Sequence, residues 1–352
     1  MISSVRVIGA GLIGTSVGLS LRSAGISVEI IDLDLNSQKL SQDLVKSVPV
    51  AKPDLIVVAV PISVNLEVIL EQLKLNPASI VCDLSSVKSD LILKVKELSA
   101  NHQNFISLHP MAGRELSGAI GARADLFLGR AWVVINDLSS EKSKAVAGEL
   151  IKICGGTAYE MSSSEHDVIV GKISHLPQIL STALAAKMID VDSERLNIAG
   201  QGLRDITRLA QSDSKLWSQI LIANGKIIRK DLNNLISDLV QLEENLEINN
   251  IDKVEKFLQA GNKGKAKIPG KHGEQARDYA YLAVVIDDKP GQLARIFNEC
   301  ADINVNIEDL SMEHSPGQET GLITLSLSES DCVKLSTHLE KVGFKVHSGK
   351  NR

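Results

Sequence analysis

Residues 5–14, Val5-Arg6-Val7-Ile8-Gly9-Ala10-Gly11-Leu12-Ile13-Gly14, decide the fold. A short β-branched run leads straight into a G-x-G-x-x-G turn and then into a helical pattern. Glycines at these spacings permit a tight turn, close approach of backbone to a pyrophosphate, and close helix–strand packing, while the helix N-terminus offers oriented N–H groups. The next β-rich run ends in Ile30-Ile31-Asp32, near the offset of about 20 residues at which a carboxylate accepts hydrogen bonds from an adenosine ribose. That carboxylate also repels a 2′-phosphate, and Leu33 beside it supplies no cation, so NAD is expected rather than NADP. Gly9, Gly11, Leu12, Ile13, Gly14 and Asp32 are the candidate cofactor residues. Val60 and Pro61, closing the run Val58-Ala59-Val60-Pro61, join them because ligands of open α/β sheets bind at the carboxyl ends of strands.

Outward from this stretch, further β-rich runs recur at Leu55 to Val60, Ile80 to Leu84, Phe105 to Leu108 and Trp132 to Ile135. Apolar runs without polar alternation read as strands buried on both faces, as in a parallel sheet covered by helices. An α/β, Rossmann-like doubly wound domain is expected over residues 1–162. From Ser163 the period becomes helical. Leu216, Ile220, Ile227, Ile228, Leu232, Leu235, Ile236, Leu239, Leu242 and Leu246 form one long apolar stripe, more than a small core needs. An all-helical domain over 163–262 that pairs with a second copy of the chain follows, a homodimer. Residues 261–278, rich in Gly and Lys, read as a solvated linker, its core at 263–278. Residues 279–352 then give the order βαββαβ, a ferredoxin-like sandwich.

The 352 residues suit two or three domains at about 150 each. With 44% hydrophobic and 23% charged residues the chain is globular in composition. A formal net charge of -5 provides no global positive field, so neither nucleic acid nor anionic lipid is an expected partner. Cys82, Cys154, Cys300 and Cys332 are scattered, without metal-ligand spacing, and no metal is expected. Unbroken apolar runs such as Leu55 to Ile62 fall short of the roughly 20 residues that span a bilayer. A cytoplasmic protein is the expectation.

Three polar clusters interrupt apolar patterns: Asp83-Leu84-Ser85-Ser86-Val87-Lys88, His109-Pro110-Met111-Ala112-Gly113-Arg114-Glu115, and a helical set comprising Ser174-His175-Leu176-Pro177-Gln178 and Gly202 to Ala210. The first two follow strands, where a substrate beside a nicotinamide would sit. A histidine there can exchange a proton near neutral pH, and a serine can orient it. A loop histidine with a purely local role is the bland alternative. On a helix, Asp205 and Arg208 share a face, as do His175 and Gln178. An arginine braced by a carboxylate makes a fork for a substrate carboxylate, although most such pairs are surface ion pairs of little consequence.

GAGLIGTS, DLSSVKS, HPMAGRE, SHLPQ and GLRDITRLAQSD, in this order and spacing, resemble the TyrA family of prephenate and arogenate dehydrogenases. The resemblance implies oxidative decarboxylation of prephenate to 4-hydroxyphenylpyruvate in tyrosine biosynthesis, with arogenate as the alternative substrate. It gives His109 the role of catalytic histidine and Ser86 that of the serine positioning it. Arg208 resembles the arginine that grips prephenate, Asp205 the acid supporting it, and Glu115 an acid used when tyrosine competes at the active site. His175 matches the first histidine of an H-x-x-H segment. Gln178 stands where many members have the second, which makes it the residue expected to bear on prephenate against arogenate. Asp287-Asp288-Lys289-Pro290-Gly291-Gln292-Leu293 resembles the D-x-P-G-x-L signature of ACT domains, implying regulation by an amino acid such as tyrosine. From a different class, a non-catalytic sensor of NAD and an amino acid would share this architecture without needing a proton acceptor.

Overall fold

The computed structural model describes residues 2–114, 116, 118–268, 279–313 and 319–348. It forms two compact units, Met1–Gln241 and Leu242–Arg352. The first begins with β1 (Ser4–Ile8), α1 (Leu12–Ser23), β2 (Ser27–Ile31), α2 (Leu35–Val45), β3 (Leu55–Val58), α3 (Ile62–Leu75), β4 (Ile80–Asp83), α4 (Ser89–Leu98), β5 (Phe105–Pro110), β6 (Ala131–Ile135), α5 (Glu141–Ile153) and β7 (Thr157–Met161). Helices follow: α6 (Ser163–Val170), α7 (Leu176–Ala186), α8 (Ser193–Leu196), α9 (Gln201–Thr207), α10 (Ser214–Ala223), α11 (Gly225–Glu247), which crosses the unit boundary, and α12 (Ile251–Ala266).

The seven strands lie in the order β2-β1-β3-β4-β5-β6-β7. Val17 and Leu21 of α1, Val45 of α2 and Leu150 of α5 pack with one face of the sheet. Ile69 and Leu73 of α3 and Ile92 and Val95 of α4 pack with the other. Helices on both faces bury β3 and β4 completely, which is why those strands carry no polar alternation. Chain direction reverses once: β6 runs antiparallel to β5, and β7 parallel to β6. The doubly wound parallel sheet expected from the apolar runs holds for β1 to β5, and the reversal at β6 was not legible because apolar runs carry no information about direction. β7 was not expected at all. Thr157–Met161 is an edge strand with four exposed residues in five, so it lacks the apolar run by which the others are recognised.

A π turn at Gly171–His175 joins α6 to α7, and the helical rod Ser163–Ala186 is long and apolar enough by composition to cross a membrane. A search for unbroken apolar runs passes over it, since polar residues interrupt it; its buried side carries His166, Asp167, His175 and Gln178. Val168, Ile169, Ile173 and Leu180 on the rod are exposed, as are Leu216, Ile236, Leu239 and Leu246 of the stripe, whereas Ile220 and Ile228 are buried.

In the second unit, β8 (Ala280–Asp287), α13 (Gln292–Asp302), β9 (Asp309–Glu313), β10 (Thr320–Leu327), α14 (Glu329–Lys341) and β11 (Lys345–Ser348) give the expected βαββαβ order. Its antiparallel sheet runs β11-β8-β10-β9, with Leu282, Val284, Ile296, Ile323, Leu325, Leu335 and Leu339 as its core. β9 starts at Asp309, with Val305 and Ile307 packed on the core ahead of it. One boundary differs from expectation. The linker expected from 261 is helical to Ala266, capped by the Asn250 side chain on Lys253 N–H. Gly261 and Gly264 sit inside that helix at a cost of about 1 kcal/mol each relative to alanine. The four cysteines are free, and burial raises the thiol pKa of Cys82 and Cys154, so these two pack as small apolar side chains.

Candidate active site

The glycine turn lies at the switch point of the sheet, where the chain leaves β1 on one side and β3 on the other. Gly9 adopts φ 110, and a Cβ built on it would lie 2.3 Å from the Ala59 carbonyl oxygen. A Cβ on Gly14 would lie 2.0 Å from the Gly9 carbonyl oxygen. These two glycines are required by packing alone. Gly11 differs: its Cβ would meet nothing within 4 Å, and it caps α1 at φ −78 without a side-chain hydrogen bond. The open space above it, facing the first N–H groups of α1 at Leu12 and Ile13, is where a pyrophosphate fits. Asp32 accepts from Ala10 N–H at 2.6 Å and from Asp34 N–H at 2.8 Å. It braces the turn and keeps lone pairs for further donors. Between Arg22 and Lys39 the chain has no cation, and Leu33 is 98% exposed. Pro61 is the N-cap of α3, and Val60 precedes it on the carboxyl side of β3, its backbone N 3.2 Å from where a Cβ on Gly9 would lie.

His109 ends β5 on that carboxyl side. Its Nδ1 lies 2.8 Å from His166 Nε2, and His166 Nδ1 lies 2.8 Å from Asp167 Oδ1. Asp167 also accepts from the Lys88 and Ser89 N–H groups at 2.9 and 2.8 Å, which lie at the N-terminus of α4, where negative charge is favoured. Burial raises the Asp167 carboxyl pKa, but hydrogen bonds from His166, Ser89 and Lys88 outweigh it and hold the group below its ordinary value. For His109, burial and then the neighbouring His166, Lys88 and His175 push the imidazole well below the usual histidine range. His109 is therefore neutral at physiological pH, as a proton acceptor must be.

Beneath it, Lys88 is fully buried and donates to Asp83 Oδ2 at 2.9 Å and to the Leu108 carbonyl at 2.7 Å. Burial lowers the Lys88 pKa, with Asp83 opposing. Asp83 further accepts from the hydroxyls of Ser85 and Ser107. This network pins β4 to β5 directly before His109. Sequence reading placed Asp83 and Lys88 in a polar cluster without giving them a role, and it missed His166, Asp167 and Asn224 altogether. These lie 57 to 115 residues from His109 in the chain, so no local spacing connects them; the adjacent His166-Asp167 pair at the start of a helix was the available signal.

The helical residues are placed as follows. His175 is buried, its Nδ1 3.1 Å from Asn224 Nδ2 and its ring edge-on to Trp217 at 6.0 Å. Asn224 also donates to the Asp167 carbonyl at 2.9 Å, tying His175 to the His109 network. Burial, more than its charged neighbours, lowers the His175 pKa to about 4. Arg208 begins a short 3-10 turn, Arg208–Gln211, and is exposed. Asp205, also exposed, accepts from Gln201 Nε2 at 2.8 Å. His166 holds the His109 ring at Nδ1, and the Ser86 hydroxyl has no hydrogen bond among the described residues. Gln178 is 5% exposed and turned inward. Its amide donates to the Leu209 carbonyl at 2.9 Å, and its oxygen accepts from Ser212 at 3.4 Å, so it braces the turn that carries Arg208. Glu115 lies outside the described residues.

A glycine cradle at a switch point, an acid at the end of β2, and a neutral histidine at the same sheet edge define a nucleotide-dependent dehydrogenase of the doubly wound class. The comparisons narrow this. Residues 17–160 match the family model for the prephenate dehydrogenase nucleotide-binding domain, and residues 162–260 match that for the prephenate dehydrogenase dimerization domain. The chain belongs to the prephenate dehydrogenase family. It is 29% identical to the probable prephenate dehydrogenase NovF of Streptomyces niveus, over 97% of this chain and 99% of the relative. It is also 29% identical to the prephenate dehydrogenase of Lactococcus lactis subsp. cremoris, over 89% and 92%. Among solved structures, the fold resembles prephenate dehydrogenase from Aquifex aeolicus in complex with hydroxyphenyl propionate and NAD+ (TM-score 0.67, 23% identity, 75% of this chain and 98% of that one). It also resembles Synechocystis arogenate dehydrogenase (TM-score 0.62, 25% identity, 74% and 98%).

Proposed function

We propose that this chain catalyses the NAD-dependent oxidative decarboxylation of prephenate to 4-hydroxyphenylpyruvate and CO2 in tyrosine biosynthesis. The observation that carries it is His109: a neutral imidazole at the carboxyl edge of the sheet, Nδ1 engaged by His166 and Nε2 without a partner among the described residues. Gly11, the N–H groups of Leu12 and Ile13, and Asp32 fit NAD; Val60 and Pro61 would flank it. When bound, NAD supplies the hydride acceptor. His109 Nε2 takes the proton of the ring 4-hydroxyl as the C4–H bond breaks, and departure of the ring carboxylate as CO2 aromatises the product. Arg208 offers a fixed cation to the dianionic substrate, with Asp205 on the neighbouring turn, and His175 joins them as a substrate-binding residue. Ser86 is free to meet the 4-hydroxyl. Glu115 keeps its assignment as the acid where tyrosine would compete.

The exposed apolar faces of Ser163–Ala186 and α11 suit a homodimer, the arrangement named in the second family description. A cytoplasmic enzyme fits this reading. The second unit has the element order of an ACT domain, and a cavity at its β8–α13 turn is lined by Asp287, Lys289, Pro290, Gly291, Leu293 and Met312, suited to an amino-acid effector such as tyrosine. Titration calorimetry of the full chain with tyrosine, showing no heat, would remove the effector.

The activity is tested by following reduced nicotinamide with prephenate and with arogenate, each with NAD and with NADP. Prephenate with NAD is the expected productive pair. Turnover with arogenate alone would reassign the substrate, and no turnover in any combination would favour the sensor.

A further inference from the structure

We propose that His166 and Asp167 form a two-step hydrogen-bond relay that fixes the tautomer of His109, placing its N–H on Nδ1 and its lone pair on Nε2. The inference rests on the reading of His109 as proton acceptor and deepens it. The contacts run in series, Asp167 Oδ1 to His166 Nδ1 at 2.8 Å and His166 Nε2 to His109 Nδ1 at 2.8 Å. An ionised carboxylate accepts only, so the hydrogen in the first contact belongs to His166 Nδ1. The relay assigns His166 a single N–H, the one that Asp167 accepts. His166 Nε2 is then a lone pair, so the hydrogen in the second contact belongs to His109 Nδ1. That leaves the lone pair of His109 on the nitrogen without a protein partner.

A free imidazole side chain favours the opposite tautomer, so without the relay much of the enzyme would present N–H to the substrate and have no base. The relay is rigid at its far end. Asp167 is held by the Lys88 and Ser89 N–H groups, and His166 is 0% exposed. When His109 takes a proton, its Nδ1–H points at His166 and, through it, at the Asp167 carboxylate, so the cation forms opposite a fixed negative charge. The titratable groups around His109 are His166 and Asp167 on α6, Lys88 before α4, and His175 at the π turn. His166 is thus a positioning residue and touches no reacting atom.

The test has two readouts on the full-length enzyme. Nitrogen NMR of histidine-labelled protein, with His109 assigned through His109→Asn, is expected to show His109 protonated on Nδ1; protonation on Nε2 overturns the relay. Kinetically, His166→Leu removes the acceptor, and kcat should fall by roughly 10²–10⁴-fold with KM for prephenate little changed. His166→Gln keeps an acceptor oxygen near the Nε2 position and should recover most of that loss. Equal kcat in wild type and His166→Leu overturns the proposal, as does His166→Gln no better than His166→Leu in two folded variants. If His166→Leu fails to fold, the wild-type tautomer still decides. Full activity in His109→Asn would instead sink the reading of His109 itself, a distinct result.

Discussion

Replacing Gly11 by alanine separates cofactor binding from folding. The methyl group would meet no atom within 4 Å, and φ −78 at this position is ordinary for alanine. The residue is the N-cap of α1, where alanine is poorer than glycine by about 0.5 kcal/mol, which converts to a melting-temperature drop of about 1–2 °C for a unit of this size. The same methyl fills the space into which the first N–H groups of α1 point. Displacing a pyrophosphate enough to lose one charge-assisted hydrogen bond costs about 1.5–3 kcal/mol, so KM for NAD should rise roughly 10- to 150-fold. Initial rates against NAD at saturating prephenate, beside a thermal melt without ligands, measure both quantities. Gly14→Ala is the contrast: its Cβ would lie 2.0 Å from the Gly9 carbonyl, so stability and activity should fall together. An unchanged KM for NAD in a well-folded Gly11→Ala enzyme would refute the cradle argument.

Other outcomes follow from the same geometry. His109→Ala should lower kcat by roughly 10²–10⁴-fold while leaving KM for prephenate nearly unchanged, read from the same optical assay. Arg208→Gln should do the reverse, raising KM more than it lowers kcat, because a fixed cation binds ground and transition states alike. His175 is neutral when folded, with a pKa of about 4 against an ordinary 6.5; its contribution is intact above 6.5 and is lost as pH falls toward 4. Melting temperature should decline across that window, less steeply in His175→Gln, while Asp167, held below 3.8, enters only at lower pH. Sedimentation should show a dimer for the wild type and a monomer for Ile236→Glu with Leu239→Glu, two exposed positions of the α11 stripe; a persisting dimer would move the interface elsewhere.

What could be read from the chain alone followed the range of the interactions involved. Val5 to Gly14 sets strand, turn and helix from neighbours a few residues apart, and the buried strands announced themselves by composition. β7 did not, because an edge strand with polar exposed residues resembles a loop until its partner β6 is in place. His109 stood out as a histidine after a strand. Its partner stayed hidden because His166 is 57 residues away and reaches it only when α6 folds back over the end of β5. For Ser86 and Gln178 the motif positions were legible and the side-chain directions were not. Gln178 turns to Leu209 because a buried amide must find partners, a constraint that appears only once α7 and the Arg208 turn are adjacent.

The π turn between α6 and α7 works as a phase adjuster. At about 100° per residue, His166 and Gln178 on an uninterrupted α-helix would be offset by roughly 120°. One residue accommodated in the wider turn at Gly171–His175 removes about 100° of that. The histidine–aspartate pair and the residues behind the arginine turn thereby come to one side of a single rod. Converting the turn to regular α-helix at unchanged length would rotate Gln178 away from the site without unfolding either helix, whereas deleting one residue with it would restore the phase. The length of this stretch is therefore as much a determinant of the active site as the identity of its side chains.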